Sequence, residues 1–171
     1  MTTQPEAQSV TSVAPGSYQV LTFVLGRETY GVDILRVQEI RGWSSVTKIP
    51  HSPAHVLGVL NLRGSIVPIV DLRMKFNLAQ AEYTSVTVII VLSVHTRAGA
   101  RDFGVVVDGV SDVVDVNTAE VKPTPDLGSR AAKDHIRGLV SVAERMVVLL
   151  DIDQLIGSEI AALTQAEELV A

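Results

Sequence analysis

Few residues in this chain have types and spacing suited to chemistry, and Arg63 and Glu39 lead them. Arg63 stands at the head of a predicted hairpin turn inside the apolar run Gly58-Val59-Leu60-Asn61-Leu62-Arg63-Gly64-Ser65-Ile66-Val67-Pro68-Ile69-Val70-Asp71-Leu72. A guanidinium there is either a solvated turn charge or a fixed anchor for a docking protein, since arginine is enriched at interface hot spots. Asp71 and Asp151 form a second pair. Both end a strong apolar run and precede Leu or Ile, as helix-starting residues do. Two carboxylates sharing a proton could also serve a two-lobed acid hydrolase. That chemistry needs each Asp on a small, Gly-bearing loop, so capping is the preferred role and the hydrolase is kept as the alternative. Of the four histidines, only His51 and His55 have ligand spacing, and Pro53 between them breaks the helix that a metal pair would need. No phosphate-loop, dinucleotide, nucleophile-elbow or zinc-protease motif is present, so neither cofactor nor metal is expected.

These side chains must be positioned by strands. The chain holds 28 valines against 16 leucines, and β-branched side chains favour a pleated surface over a helix. Residues 1–16 are small and polar and read as a disordered lead. Strands are predicted over 18–25 and 30–34 around the Gly26-Arg27-Glu28 turn, and over 56–62 and 65–70 around Arg63-Gly64. Others are predicted over 84–94, 103–107, 110–116, 136–142 and 146–150. Leu35 to Ile40 fits a strand or one helical turn. Lys48 to Pro53 is a connector, His95 to Arg101 a looser one, and Lys122 to Arg130 a Pro-containing loop. Short helices are expected after Asp71 and Asp151, and a C-terminal helix over 158–171 with Ser158 as a possible cap.

The second half repeats the first. Ser17 to Leu25 lies over Thr84 to Leu92 at an offset of 67, and Tyr30-Gly31-Val32 over Phe103-Gly104-Val105 at 73. His55 to Gly58 lies over His135 to Gly138 at 80, and Val70-Asp71-Leu72 over Leu150-Asp151-Ile152 at 80. Each repeat holds too few strands for a sandwich and enough for a small barrel. The expected architecture is mainly β, two small barrels side by side, with residues 17–78 forming the first and 84–157 the second. At the place of Arg63-Gly64 the second copy carries Ala143-Glu144. The fold therefore does not demand Arg at the turn.

Composition narrows the function. A net charge of −5 and a pI near 5.3 argue against nucleic acid as partner. The absence of cysteine removes disulfides, thiolate metal sites and thiol nucleophiles. No apolar run reaches the roughly 18–20 residues of a membrane span. The N-terminal residues lack both the positive charge and the apolar stretch of a signal peptide. A cytoplasmic protein with no membrane insertion is expected.

The block Asn61-Leu62-Arg63-Gly64-Ser65-Ile66-Val67-Pro68-Ile69-Val70-Asp71-Leu72-Arg73, preceded by Val37-Gln38-Glu39-Ile40, resembles the CheW family of bacterial chemotaxis coupling proteins. The likeness spans residues 17 to about 157. It implies two five-stranded SH3-like barrels with a shared core and no catalytic activity. It also implies an adaptor role in two-component signal transduction, bridging the cytoplasmic tips of methyl-accepting chemoreceptors to the regulatory domain of the histidine kinase CheA. By the same resemblance the receptor tip lies near the groove between the barrels. Arg63 and Glu39 would be tied to receptor coupling, with Val37 and Ile40 lining that area. Gly64, Asp71 and Asp151 are expected to be structural, at a turn and two helix starts.

Overall fold

The computed structural model describes residues 16–76, 78, 82–125 and 135–157. Strands β1 (Ser17–Leu25), β2 (Glu28–Asp33), β3 (Val37–Gly42), β4 (Val56–Leu62) and β5 (Ser65–Asp71) come from the first half. Strands β6 (Val88–Thr96), β7 (Gly99–Val107), β8 (Gly109–Asn117), β9 (Ile136–Val142) and β10 (Arg145–Leu150) come from the second. Helix α1 covers Leu72–Lys75 and helix α2 covers 152–157. The expected C-terminal helix over 158–171 and residues 1–15 of the lead lie outside the described residues. Gly16 is described: its carbonyl accepts the Thr118 amide at 2.7 Å.

The two repeats do not fold as separate barrels. One sheet runs β8-β1-β2-β10-β9 and the other β3-β6-β7-β5-β4, so each draws strands from both halves. The expected division at 17–78 and 84–157 is corrected accordingly. The cause is local. Asp33 accepts the Leu35 amide at 2.9 Å and starts one turn of 3-10 helix, Ile34–Arg36, which carries the chain from the first sheet into the second. The return crossing is made at Asp108, between β7 and β8. Exchanging each strand for its repeat counterpart converts one sheet order into the other, so the duplication is real but intertwined.

Register refines the repeat. Phe23 pairs with Tyr30 in one sheet and Leu92 with Phe103 in the other. That sets the β1/β6 offset at 69 rather than 67, while the offsets of 73 and 80 hold through the pairs Gly58–Ile69 and Gly138–Leu149. Two boundaries move as well. β6 starts at Val88, because Thr84 to Thr87 form a turn in which the Thr84 amide donates to Thr87 Oγ1 at 2.9 Å. The supposed connector from His95 to Arg101 is the end of a tight β6–β7 hairpin.

Period-2 alternation then divides the apolar residues among three cores. Val20, Val116, Val140, Val147 and Leu149 fill the first barrel. Val67, Ile69, Ile89, Val91 and Val106 fill the second. The opposite faces of the same strands meet between the barrels, where Leu21, Phe23, Leu25, Ile90, Leu92, Phe103 and Val105 join Leu72, Ile152, Leu155 and Ile156 from the helices. Both barrels are sealed where a connector crosses a strand, by the bridges Thr47–Val59 and Lys122–Leu139. A Cβ on Gly58 would stand 2.0 Å from the Thr47 carbonyl oxygen, and one on Gly138 2.7 Å from that of Lys122. Glycine is required at both crossings.

Candidate functional site

The turn between β4 and β5 places both central residues at positive φ, Arg63 at 55° and Gly64 at 89°. This is the tight hairpin geometry that matches strand twist. Asn61 Oδ1 accepts the Gly64 amide at 2.9 Å and fixes the turn. Ala143 and Glu144 adopt the same conformation in the second repeat, with φ 51° and 65°. The backbone shape is therefore common to both copies, and the guanidinium belongs to one of them.

Arg63 is 84% exposed, and its Nη2 lies 3.2 Å from Glu39 Oε2. An exposed pair of this kind contributes about 0.2–1 kcal/mol. Such a sum does not account for a charged tip in an apolar hairpin. Glu39 belongs to β3, one end of the sheet order, while Arg63 follows β4, the other end. The pair thus bridges the open side of the second barrel. Beneath it lies a cleft of about 220 Å³ bordered by Gln38, Leu62, Val91 and Asp102.

Val37 and Ile40 occupy the other face, for a reason the alternation of VQEI hides. A bulge at Gln38 shifts the register, so that Val37 opposes Leu92, Glu39 opposes Val91 and Ile40 opposes Ile90. Directly opposed residues share a face. Glu39 therefore faces the barrel side with Val91, whereas Val37 and Ile40 face the central core with Leu92 and Ile90. Val37 packs against that core, and Ile40 remains 46% exposed on the edge strand. The structure brings Arg63 to Glu39 and Val37 to Ile40, as two faces of one strand edge.

Both aspartates stand where a helix follows a strand. Asp71 caps α1 by accepting the Arg73 amide at 3.0 Å, and Asp151 accepts the Gln154 amide at 3.1 Å. Asp71 is also gripped by Arg73, which donates from Nε and Nη2 at 3.0 Å each, and by the Tyr83 hydroxyl at 2.8 Å. Each carboxylate serves its own cap, and Asp71 has no oxygen left for a shared proton. The geometry gives the hydrolase alternative no support.

A network that sequence reading missed surrounds Arg73, which is 2% exposed. Its Nη1 reaches Asp108 Oδ1 at 3.0 Å and the Glu82 carbonyl at 3.2 Å, with its guanidinium 4.9 Å from the Tyr83 ring centre. Tyr83 stacks on Trp43 at 4.1 Å, and a pocket of about 480 Å³ opens beside them. Burial would weaken the Arg73 charge, but the bonds to Asp71 and Asp108 outweigh it and hold its pKa above the usual value. Burial and the Asp71 carboxylate push the Tyr83 hydroxyl up to about 12. The available signal was an Arg two residues after a capping Asp, a spacing that also suits a solvated helix.

A further pair joins Arg36 to Asp153 at 2.8 Å, with Arg36 Nη1 also on the Ser93 carbonyl and the His95 amide on Asp153 Oδ1 at 2.9 Å. Partial burial would raise Asp153, but the Arg36 guanidinium and the His95 amide prevail and hold it below its usual range. Among the described residues no group of three His, Asp or Glu side chains could hold a metal ion, and no helix is long and apolar enough to cross a membrane.

Comparison with known proteins agrees with this architecture. The CheW-like domain pattern matches residues 19–159. The chain is 47% identical over 145 residues to the chemotaxis protein CheW of Klebsiella aerogenes, covering 85% of each chain. It is 40% identical over 144 residues to CheW of Rhizobium meliloti, covering 84% of this chain and 90% of that one. The scaffolding protein TtCheW of Thermoanaerobacter tengcongensis superposes with a TM-score of 0.70 at 27% identity, over 78% of this chain and 88% of that structure.

Proposed function

The chain belongs to the CheW family of chemotaxis coupling proteins, and we propose that it acts as a non-enzymatic cytoplasmic adaptor between transmembrane chemoreceptors and the histidine kinase CheA. In this reading the receptor's helical hairpin tip docks at the second barrel's edge, and the kinase's regulatory domain docks elsewhere on the barrels. Receptor binding recruits the adaptor to membrane-anchored arrays.

One observation carries the reading. Arg63 is exposed, held on a fixed turn backbone and paired with Glu39 across the barrel's open side, yet the barrel does not need the guanidinium, since the equivalent turn position is Ala143. A helical tip with charged and apolar stripes matches an edge that offers an ion pair on one face and Ile40 beside Val37 on the other. Docking replaces the water around Arg63 with a partner and turns a weak surface pair into a recognition anchor.

The test is a pair of separate pull-downs, one with a receptor-tip fragment and one with the kinase regulatory domain. The adaptor reading expects capture of both. Capture of neither would remove it.

A further inference from the structure

The two ion pairs outside the docking edge are related by the internal repeat. Arg73 on α1 and Asp153 on α2 are equivalent at the offset of 80 that aligns β5 with β10. Their partners, Asp108 and Arg36, occupy the two crossings between barrels and stand one position apart in the repeat alignment. Each site also captures one hairpin amide. Gly26 N donates to Asp108 Oδ2 at 2.7 Å, and His95 N donates to Asp153 Oδ1 at 2.9 Å. Gly26 and His95 are themselves equivalent at the β1/β6 offset of 69. One arrangement thus occurs twice with its charges exchanged. In one copy the cation is on the helix and the anion on the crossing, and in the other the reverse.

We infer that Arg36–Asp153 and Arg73–Asp108 are charge-reversed copies of one clamp that fixes the angle between the two barrels, making Arg36 and Asp153 positioning residues for receptor docking. Each site ties three parts that belong to different barrels. In the first, α1 follows the second barrel, while Gly26 belongs to the first. In the second, α2 follows the first barrel, while Ser93 and His95 belong to the second. The central core alone cannot set the angle sharply, because apolar contact is non-directional. Charge-assisted Arg–carboxylate bonds are directional and supply that specificity: Arg36 grips Asp153 with both Nη atoms, and Arg73, its fork held by Asp71, reaches Asp108 with Nη1. The two copies differ in strength. The carboxylates are alike, Asp108 31% and Asp153 32% exposed, but the Arg73 side chain is 2% exposed and that of Arg36 19%. Water competes more at Arg36, so Arg36–Asp153 is the weaker of the two clamps. The link to receptor binding rests on the docking reading above; the clamp does not.

The experiment measures the distance between spin labels at Ala100→Cys on the second barrel and Ser141→Cys on the first. Both positions are exposed, and the chain has no other cysteine. Arg36→Ala and Asp153→Ala should each broaden the distance distribution. The exchange Arg36→Asp with Asp153→Arg should narrow it again, because it copies the polarity already used by Arg73 and Asp108. Unlabelled single variants should bind a receptor-tip fragment roughly 2- to 5-fold more weakly, the loss of a partly exposed pair, with recovery in the exchange variant. A distribution that stays as narrow as wild type in both single variants would overturn the clamp. So would an exchange variant as broad as either one. Broadening with unchanged receptor binding would keep the clamp and remove Arg36 and Asp153 as positioning residues for docking. Melting curves on each variant identify any that fail to fold, and for those Asp153→Asn provides the same comparison at nearly constant volume.

Discussion

Arg63 Nη2 and Glu39 Oε2 meet at 3.2 Å although their residues sit at the two ends of one sheet's strand order. The contact closes the mouth of the second barrel with charge where no backbone ladder does. Its exposure decides its meaning. A pair so wet stabilises weakly, whereas the buried Arg73–Asp71 pair is structural, and the two therefore separate in experiment.

Removing the exposed guanidinium should scarcely affect folding. Arg63→Ala is expected to change stability by less than about 1 kcal/mol, with a Tm within a few degrees of wild type. Thermal unfolding followed by circular dichroism checks this. A large drop would make Arg63 a structural residue.

Arg73 should behave oppositely. Arg73→Met leaves the Asp71 carboxylate without its bidentate partner at a buried site and releases Asp108. A loss of about 3–5 kcal/mol is expected, as for other broken buried pairs. Urea unfolding measures it directly.

Gly58 marks the point where the Thr47 backbone seals the second barrel. Gly58→Ala puts a methyl into the Thr47 carbonyl and forces alanine to a φ of 148°. The expected cost is about 2–4 kcal/mol, typical of a backbone clash at a special φ. Gly42→Ala, where a Cβ meets open space, is the control and should cost far less in the same melt.

Two groups predict the pH limits of stability. Asp153 is depressed in the folded state, so its contribution is present above the ordinary carboxylate range and is lost as pH falls through the lowered value. Tyr83 is raised to about 12 from 10.0, so the folded state keeps a proton that the unfolded chain releases. Its contribution holds below pH 10 and disappears between pH 10 and 12. Melting temperature against pH should lose part of its acid limb in Asp153→Asn and part of its alkaline limb in Tyr83→Phe.

Much of this was legible in the residues. Alternation located the strands, and the Asp-Leu and Asp-Ile steps located both helix starts. The strand exchange was not legible, because alternation specifies which face a side chain takes and says nothing about which strand it will pair with. For the same reason the β1/β6 alignment slipped by two: a slip of two keeps every side chain on its face. The bulge at Gln38 leaves no mark in VQEI, yet it moves Val37 off Glu39's face and onto that of Ile40. Arg73 was hidden by its type, since arginine is almost never fully buried unless paired, and its second anion lies 35 residues away.

The docking account stands most directly on Arg63→Asp, titrated separately against a receptor-tip fragment and the kinase regulatory domain. It predicts receptor-tip affinity at least about tenfold weaker, the loss of a hot-spot contact, with kinase binding and melting temperature as in wild type. Receptor-tip binding equal to wild type would contradict it.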